Sequence, residues 1–205
     1  MGQLVIPEIS LVANLSSARR KVICAASVLA LVSLLDITSL TGSAFAGQAI
    51  FTTAKDGTIV NENIFALSTD VYISGGPRNA KASRLPDGTY YFQVTDPSGK
   101  TLLSTDIAQC RQLKVSGGRI AGATGPGCEH ANGTFNPANG VLPVQLFQFS
   151  PTPNAGNEYK VWLIAQTPGT SISETDAKVL IFSPSDASTD NFKVQYAVAP
   201  PPSGS

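Results

Sequence analysis

Cys110, Cys128 and His130 are the residues best suited to chemistry, and they fall in one stretch of the chain. A cysteine and a histidine could form a nucleophile with its base, and the three side chains together could bind zinc. His130 is the only histidine, so acid–base catalysis by histidine depends on it alone. Cys-x-His is not a usual zinc-knuckle spacing, however, and Gly127 and Asn132 predict a solvated loop around His130.

Asp186, Ser188 and Asp190 have the alternate spacing of a calcium-binding loop. The sixth position of that loop holds Asn191 instead of glycine, and the twelfth holds Ala197 instead of glutamate. We therefore interpret the stretch as an Asx-rich turn that caps the last strand. No cofactor or metal is expected.

Tyr91, Tyr159 and Trp162 could form an aromatic platform for a sugar ring. The alternative is that they pack between sheets. We favour packing, because Trp162 lies in the most apolar predicted strand and large aromatic side chains are usually buried.

The first 46 residues resemble a signal peptide, and the cleavage site is predicted after Ala46. Arg19–Lys21 is basic, Val22–Leu35 is an apolar run, and Ala44–Ala46 fits the small-x-small cleavage pattern. An uncleaved N-terminal anchor is the alternative. The chain carries 14 Lys+Arg against 14 Asp+Glu, a balance that gives no reason to expect a nucleic acid or an anionic membrane surface as partner.

Export changes the interpretation of the cysteines. Cys110 and Cys128 are the two cysteines after residue 46, and an even pair in an exported protein predicts a disulfide. Such a bond would contribute roughly 3 kcal/mol to stability. The cysteine-nucleophile and zinc interpretations stay open as alternatives.

Leu85–Ser104 carries the clearest structural pattern. Pro86–Gly88 predicts a turn, Asp96–Gly99 reverses the chain, and Thr101–Ser104 runs back. Between the turns the apolar side chains alternate, as in a half-buried strand: Tyr90, Phe92 and Val94. The stretch therefore predicts a β-hairpin with an aromatic inner face.

Short apolar stretches predict further strands over 49–53, 58–60, 70–74, 111–115, 119–123, 141–149, 159–165, 179–182 and 192–198. Ser116–Gly118 predicts a compact hairpin turn, and Thr124–Gly140 a long loop. The apolar phase changes within 141–149, which suggests a bulge. Nearly continuous apolar sequence in 159–165 indicates a central strand covered on both faces. Roughly nine or ten such strands predict a single β-sandwich over residues 47–199, followed by a Pro/Ser/Gly tail at 200–205.

The hairpin sequence LPDGTYYFQVTDPSGK resembles the consensus hairpin of transthyretin-like (Cna-B-like) modules of bacterial surface proteins. Cys110-Arg111, Cys128–His130, Pro153–Trp162 and Thr189–Val194 are similar to stretches of uncharacterised exported bacterial proteins. The resemblance implies an immunoglobulin/transthyretin-like β-sandwich after the signal-peptide helix, and no mechanism. It also implies a candidate Lys–Asn isopeptide bond between Lys55 and Asn191, near Asp96.

These observations predict a secreted or cell-surface protein that is not an enzyme. We expect a structural or adhesion-type module whose partner is an extracellular protein or a glycan. A carbohydrate- or ligand-binding sandwich is the alternative. A small exported hydrolase that uses His130 is a third class.

Overall fold

The computed structural model describes residues 50–59, 63–77, 84–172, 179–181 and 184–197. Residues 179–181 are described by their backbone alone. Within these ranges the chain forms eleven strands and three short 3-10 helices, and no α-helix. No helix in the described part of the chain is long and apolar enough to cross a membrane. The predicted signal peptide and the tail at 200–205 lie outside the described residues.

The strands, in chain order, are β1 Ile50–Thr53, β2 Ile64–Leu67, β3 Tyr72–Gly75, β4 Gly88–Thr95, β5 Gln112–Ser116, β6 Arg119–Ala123, β7 Val144–Gln145, β8 Glu158–Ala165, β9 Ser171–Ile172, β10 Val179–Ile181 and β11 Ala187–Tyr196. The 3-10 helices are Ser68–Asp70, Ala108–Arg111 and Pro184–Asp186.

Two sheets form a β-sandwich-like arrangement, as the alternating apolar pattern predicts. The smaller sheet has three strands in the order β1-β3-β7, and the larger has six in the order β2-β11-β8-β4-β5-β6. Strands β9 and β10 pair as a separate antiparallel ribbon. Neighbouring strands are antiparallel except β2 and β11, which run parallel.

The core lies between the two sheets. Tyr90, Phe92 and Val94 of β4 are all buried there, so the predicted aromatic inner face is confirmed. Directly paired residues share a face, and β4 pairs with β8, so Val161 and Leu163 enter the same core. Apolar side chains of the smaller sheet and of the following segment close it from the other side: Ile73, Val144, Leu146 and Phe149.

The outer face of the larger sheet is also covered in part. Tyr91 and Ile164 are opposite each other on β4 and β8, and both are buried against Ala108 of the second 3-10 helix. Ala187 belongs to the same cluster. This second cluster explains the nearly continuous apolar sequence of β8, as a strand covered on both faces requires.

Within the described residues, one predicted strand is absent from the structure, and another is shorter than predicted. The chain after the Asp96–Gly99 turn forms no strand: Leu103 and Ser104 donate their N–H groups to the Val94 carbonyl. The partner of β4 over most of its length is β8, whose Val161 and Leu163 lie opposite Val94 and Phe92 in the core. Of the predicted strand 141–149 only β7 is regular.

The two sheets are joined at one corner by the carboxylate of Asp190. One of its oxygens, Oδ2, accepts hydrogen bonds from the backbone N–H of Thr52 at 2.7 Å and from its hydroxyl at 2.9 Å. Thr52 lies on β1 of the smaller sheet and is fully buried. The last long strand is thereby bonded to the first.

We expect Asp190→Ala to lower the free energy of unfolding by about 2 kcal/mol, because the buried Thr52 donors lose their acceptor. Urea unfolding monitored by Trp162 fluorescence measures the change. Lys193→Gln, on the same strand as Asp190, is the control. It removes a half-exposed ion pair with Glu158 of β8 and should cost less than about 1 kcal/mol. Equal effects of the two substitutions would contradict the role of Asp190.

Asp96 orders the turn that follows β4. Its Oδ1 accepts the N–H groups of Lys100 and Thr101, and its Oδ2 accepts the hydroxyl of Ser98. The Ser98 hydroxyl first, and then the N–H of Thr101, hold the pKa of this carboxyl below its ordinary value. The folded turn therefore stabilises the ionised form of the Asp96 carboxyl.

A carboxyl whose pKa is lowered by folding adds stability at pH values above its ordinary pKa. This stability is lost as the pH falls through the lowered pKa of the folded state. We expect the wild type to lose stability more steeply than Asp96→Asn between about pH 5 and pH 2. Urea midpoints measured across that interval test this. Parallel slopes for the two proteins would show that the turn does not depend on the ionised carboxylate.

Candidate functional site

The predicted disulfide is present: Sγ of Cys110 and Sγ of Cys128 are 2.08 Å apart. Cys110 ends up buried in the second 3-10 helix, whereas Cys128 is exposed in the long loop. Both sulfur atoms are used in the bond, so in this form neither is a thiolate nucleophile or a zinc ligand. The bond fixes the loop that carries His130 against the larger sheet.

His130 is buried, and the expectation of a solvated loop is wrong. Its Nδ1 lies 2.9 Å from the carbonyl oxygen of Gln145, and its Nε2 lies 2.9 Å from Oδ2 of Asp106. A carbonyl oxygen only accepts, so Nδ1 carries a proton. Nε2 faces a carboxylate oxygen, so each ring nitrogen has a partner.

Arg111 completes the group, which we name the Asp106 cluster: Asp106, Arg111 and His130. The Arg111 side chain is fully buried, and its Nε lies 3.7 Å from the Asp106 oxygen that contacts His130. A fully buried arginine is rare unless an acid accompanies it. One carboxylate oxygen therefore contacts both an arginine and a histidine.

Secondary structure and packing hold each member of the Asp106 cluster. Asp106 follows the segment that bonds to β4, and Arg111 ends the second 3-10 helix. His130 precedes Ala131, whose carbonyl accepts the N–H of Gln145 on β7. The imidazole ring also packs edge-on against Phe92, with centroids 4.9 Å apart. The cluster thus connects the two sheets and the disulfide loop.

Sequence reasoning missed Asp106, Arg111 and Gln145 as partners of His130. No spacing rule relates position 106 to position 130, because a 3-10 helix, the β5–β6 hairpin and part of the long loop separate them. The arginine beside Cys110 carried no signal of its burial, since Glu129 beside the other disulfide cysteine is exposed.

A cleft of about 230 Å³ lies beside the cluster. Its walls include the disulfide, His130 and the exposed Glu129. This volume is below the ~300–1,000 Å³ typical of small-molecule sites. His130 reaches the cleft with both nitrogens already bonded, so the cleft offers carboxylates but no free base.

The calcium candidates do not surround a common point. Oδ2 of Asp186 accepts from the Thr167 hydroxyl at 3.4 Å, whereas Oδ2 of Asp190 is bonded to Thr52. Ser188 lies on β11 and is buried. No three His, Cys, Asp or Glu residues of the described ranges form a group that could hold a metal ion.

The three aromatic candidates lie in different places. Tyr159 is in the core, stacked on Phe192 with centroids 5.1 Å apart, and burial raises its pKa. Tyr91 is buried on the opposite face of the larger sheet. Trp162 shares that opposite face and is half-buried, with its Nε1–H donated to the Thr95 hydroxyl. They do not form one exposed row.

Trp162 is also covered by its neighbours. The Lys160 ammonium lies 5.6 Å from the centre of its ring, a cation–π contact. Gly99 packs against the ring so closely that a β-carbon there would lie 2.8 Å from it. The face of the indole is therefore not open as a flat platform.

The isopeptide candidates show ordinary roles. Asp96 binds its own turn, as described above. Asn191 is exposed on β11 and accepts a hydrogen bond from Asn63, and Lys55 lies in the turn after β1, where its carbonyl accepts from Thr134.

We expect Asp106→Ala to lower the free energy of unfolding by about 3 kcal/mol, because it removes the carboxylate that contacts the buried Arg111 and His130 side chains. Chemical unfolding of the oxidised protein measures this. Glu129→Ala, an exposed acid on the same cleft, is the matched control and should stay within about 0.5 kcal/mol of wild type. Wild-type stability of Asp106→Ala would show that the cluster is not a structural clamp.

The chain matches no protein-family model, no curated protein and no solved structure. The resemblance to transthyretin-like modules therefore depends on the quoted residues alone. What the protein does has to be argued from its own contacts.

Proposed function

We propose that the chain is a non-enzymatic, exported β-sandwich module of the structural or adhesion type. The observation that supports this best is the state of His130. Its two nitrogens are bonded to Gln145 and Asp106 in a buried network, so the one histidine of the chain serves the fold instead of a substrate.

Export has two independent supports. The order of basic run, apolar run and Ala44-Phe45-Ala46 is typical of a secretory signal. The Cys110–Cys128 disulfide is typical of a protein that folds in an oxidising compartment. The finer assignment to an immunoglobulin/transthyretin-like class is consistent with the sandwich and is part of this proposal.

The hydrolase alternative has less support. It needs a free base beside a hydroxyl or a water, and His130 has neither nitrogen available. The aromatic sugar platform also has less support, because Tyr91 and Tyr159 are buried on opposite faces and Trp162 is covered by Lys160 and Gly99.

The test is to express the full chain, with a C-terminal epitope, in a bacterial host that secretes proteins. We expect the protein outside the cytoplasm, shortened at Ala46 and with Cys110 linked to Cys128 in non-reducing mass spectra. A variant with Arg19, Arg20 and Lys21 replaced by Gln is the control and should accumulate inside the cell.

Substrates of the hydrolase classes provide the second readout. We expect that the wild type and His130→Gln give the same background rate with ester, peptide and glycoside substrates. Reduced full-length protein in the cytoplasm would contradict export, and turnover that requires His130 would overturn the non-enzymatic assignment.

A further inference from the structure

The tip of the β5–β6 hairpin carries two arginine side chains that converge on one backbone oxygen. Nη1 of Arg84 lies 3.1 Å, and Nη1 of Arg119 lies 3.3 Å, from the carbonyl oxygen of Gly117. Two guanidinium groups are thus held close together although like charges repel. In a chain with 14 basic and 14 acidic residues, this is a local concentration of positive charge.

Two glycines make room for these arginines. Gly118 has φ +78°, and a β-carbon there would lie 2.8 Å from Cβ of Arg84. Gly76 has φ +133°, and a β-carbon there would lie 2.8 Å from Cγ of Arg119. A larger residue at either position would be strained and would displace the arginine stem. The backbone therefore determines where both stems lie, which reduces the entropy lost when they bind a ligand.

The acid at this tip is already engaged. The carboxylate of Asp87 accepts the N–H groups of Gly117 and Gly118 at 3.0 and 2.8 Å. Lys114 on β5 is exposed close by and adds a third cation. Three cationic side chains thus accompany one carboxylate that is turned toward the backbone.

We propose that this tip, formed by Arg84, Lys114 and Arg119, binds oxyanion groups of an acidic polysaccharide. The planar guanidinium fork matches sulfate and carboxylate groups in geometry and charge. The site lies on a hairpin turn, so it suits groups presented along an extended chain. The proposal rests on the proposed export, since it places the protein where such polysaccharides occur.

The test measures binding of the purified, disulfide-bonded full chain to dextran sulfate by calorimetry at low salt, with neutral dextran as blank. We expect Arg84→Gln/Arg119→Gln to weaken binding by roughly ten-fold or more. The matched control, Lys55→Gln/Lys100→Gln, removes the same charge from two other exposed turns and should change binding by less than roughly two-fold. Urea unfolding of both variants shows whether they are folded.

Four results would overturn the proposal. Wild-type protein that does not bind dextran sulfate has no such site, and equal weakening in both double variants indicates diffuse charge attraction. Equal affinity for double-stranded DNA would exclude a polysaccharide-specific site. Binding of free inorganic sulfate as tight as that of the polymer would assign the site to a small anion. Because purified protein is used, these results are independent of the export experiment.

Discussion

The fold depends most on one carboxylate in its interior. Asp106 lies between His130 and Arg111; Asp106 and Arg111 belong to the stretch around the second 3-10 helix, and His130 belongs to the long loop. An unpaired buried charge costs several kcal/mol, so the stretch 106–111 and the long loop stabilise each other. The disulfide acts on the same place covalently, since Cys110 is next to Arg111 and Cys128 is two residues before His130. The cysteines and the histidine thus hold the long loop to the β-sandwich.

Much of the fold could be predicted from the sequence because its rules are local. The alternation of Tyr90, Phe92 and Val94 defines a core face, and adjacent glycines at 117 and 118 define a hairpin turn. The disulfide could be predicted because two cysteines follow the predicted signal peptide, and two cysteines allow a single pairing. The strand boundaries in 101–104 and 141–149 could not, because which segments pair is decided by competition for apolar contact across the whole domain.

The site was less predictable, for a physical reason. His130 is flanked by residues typical of loops, and a loop is usually exposed. Its burial depends on Asp106 and Gln145, which are distant in sequence and belong to segments without periodicity. The convergence of Arg84 and Arg119 on Gly117 was also unpredictable from the sequence. No local pattern marks either arginine, and the folded turn brings them together.

The bond between Asp190 and Thr52, with the parallel pairing of β2 to β11, has a consequence for the order of events during synthesis. Strand β2 finds its strand partner only in β11, and β1, which pairs with β3, still needs Asp190 of β11 as the acceptor for Thr52. The N-terminal part of the domain therefore cannot complete its contacts while the chain is still growing. Folding of such distant pairings is slow, because long loops must close first. Strand β2 and the Thr52 donors therefore gain their partners only after residues 187–196 have been synthesised.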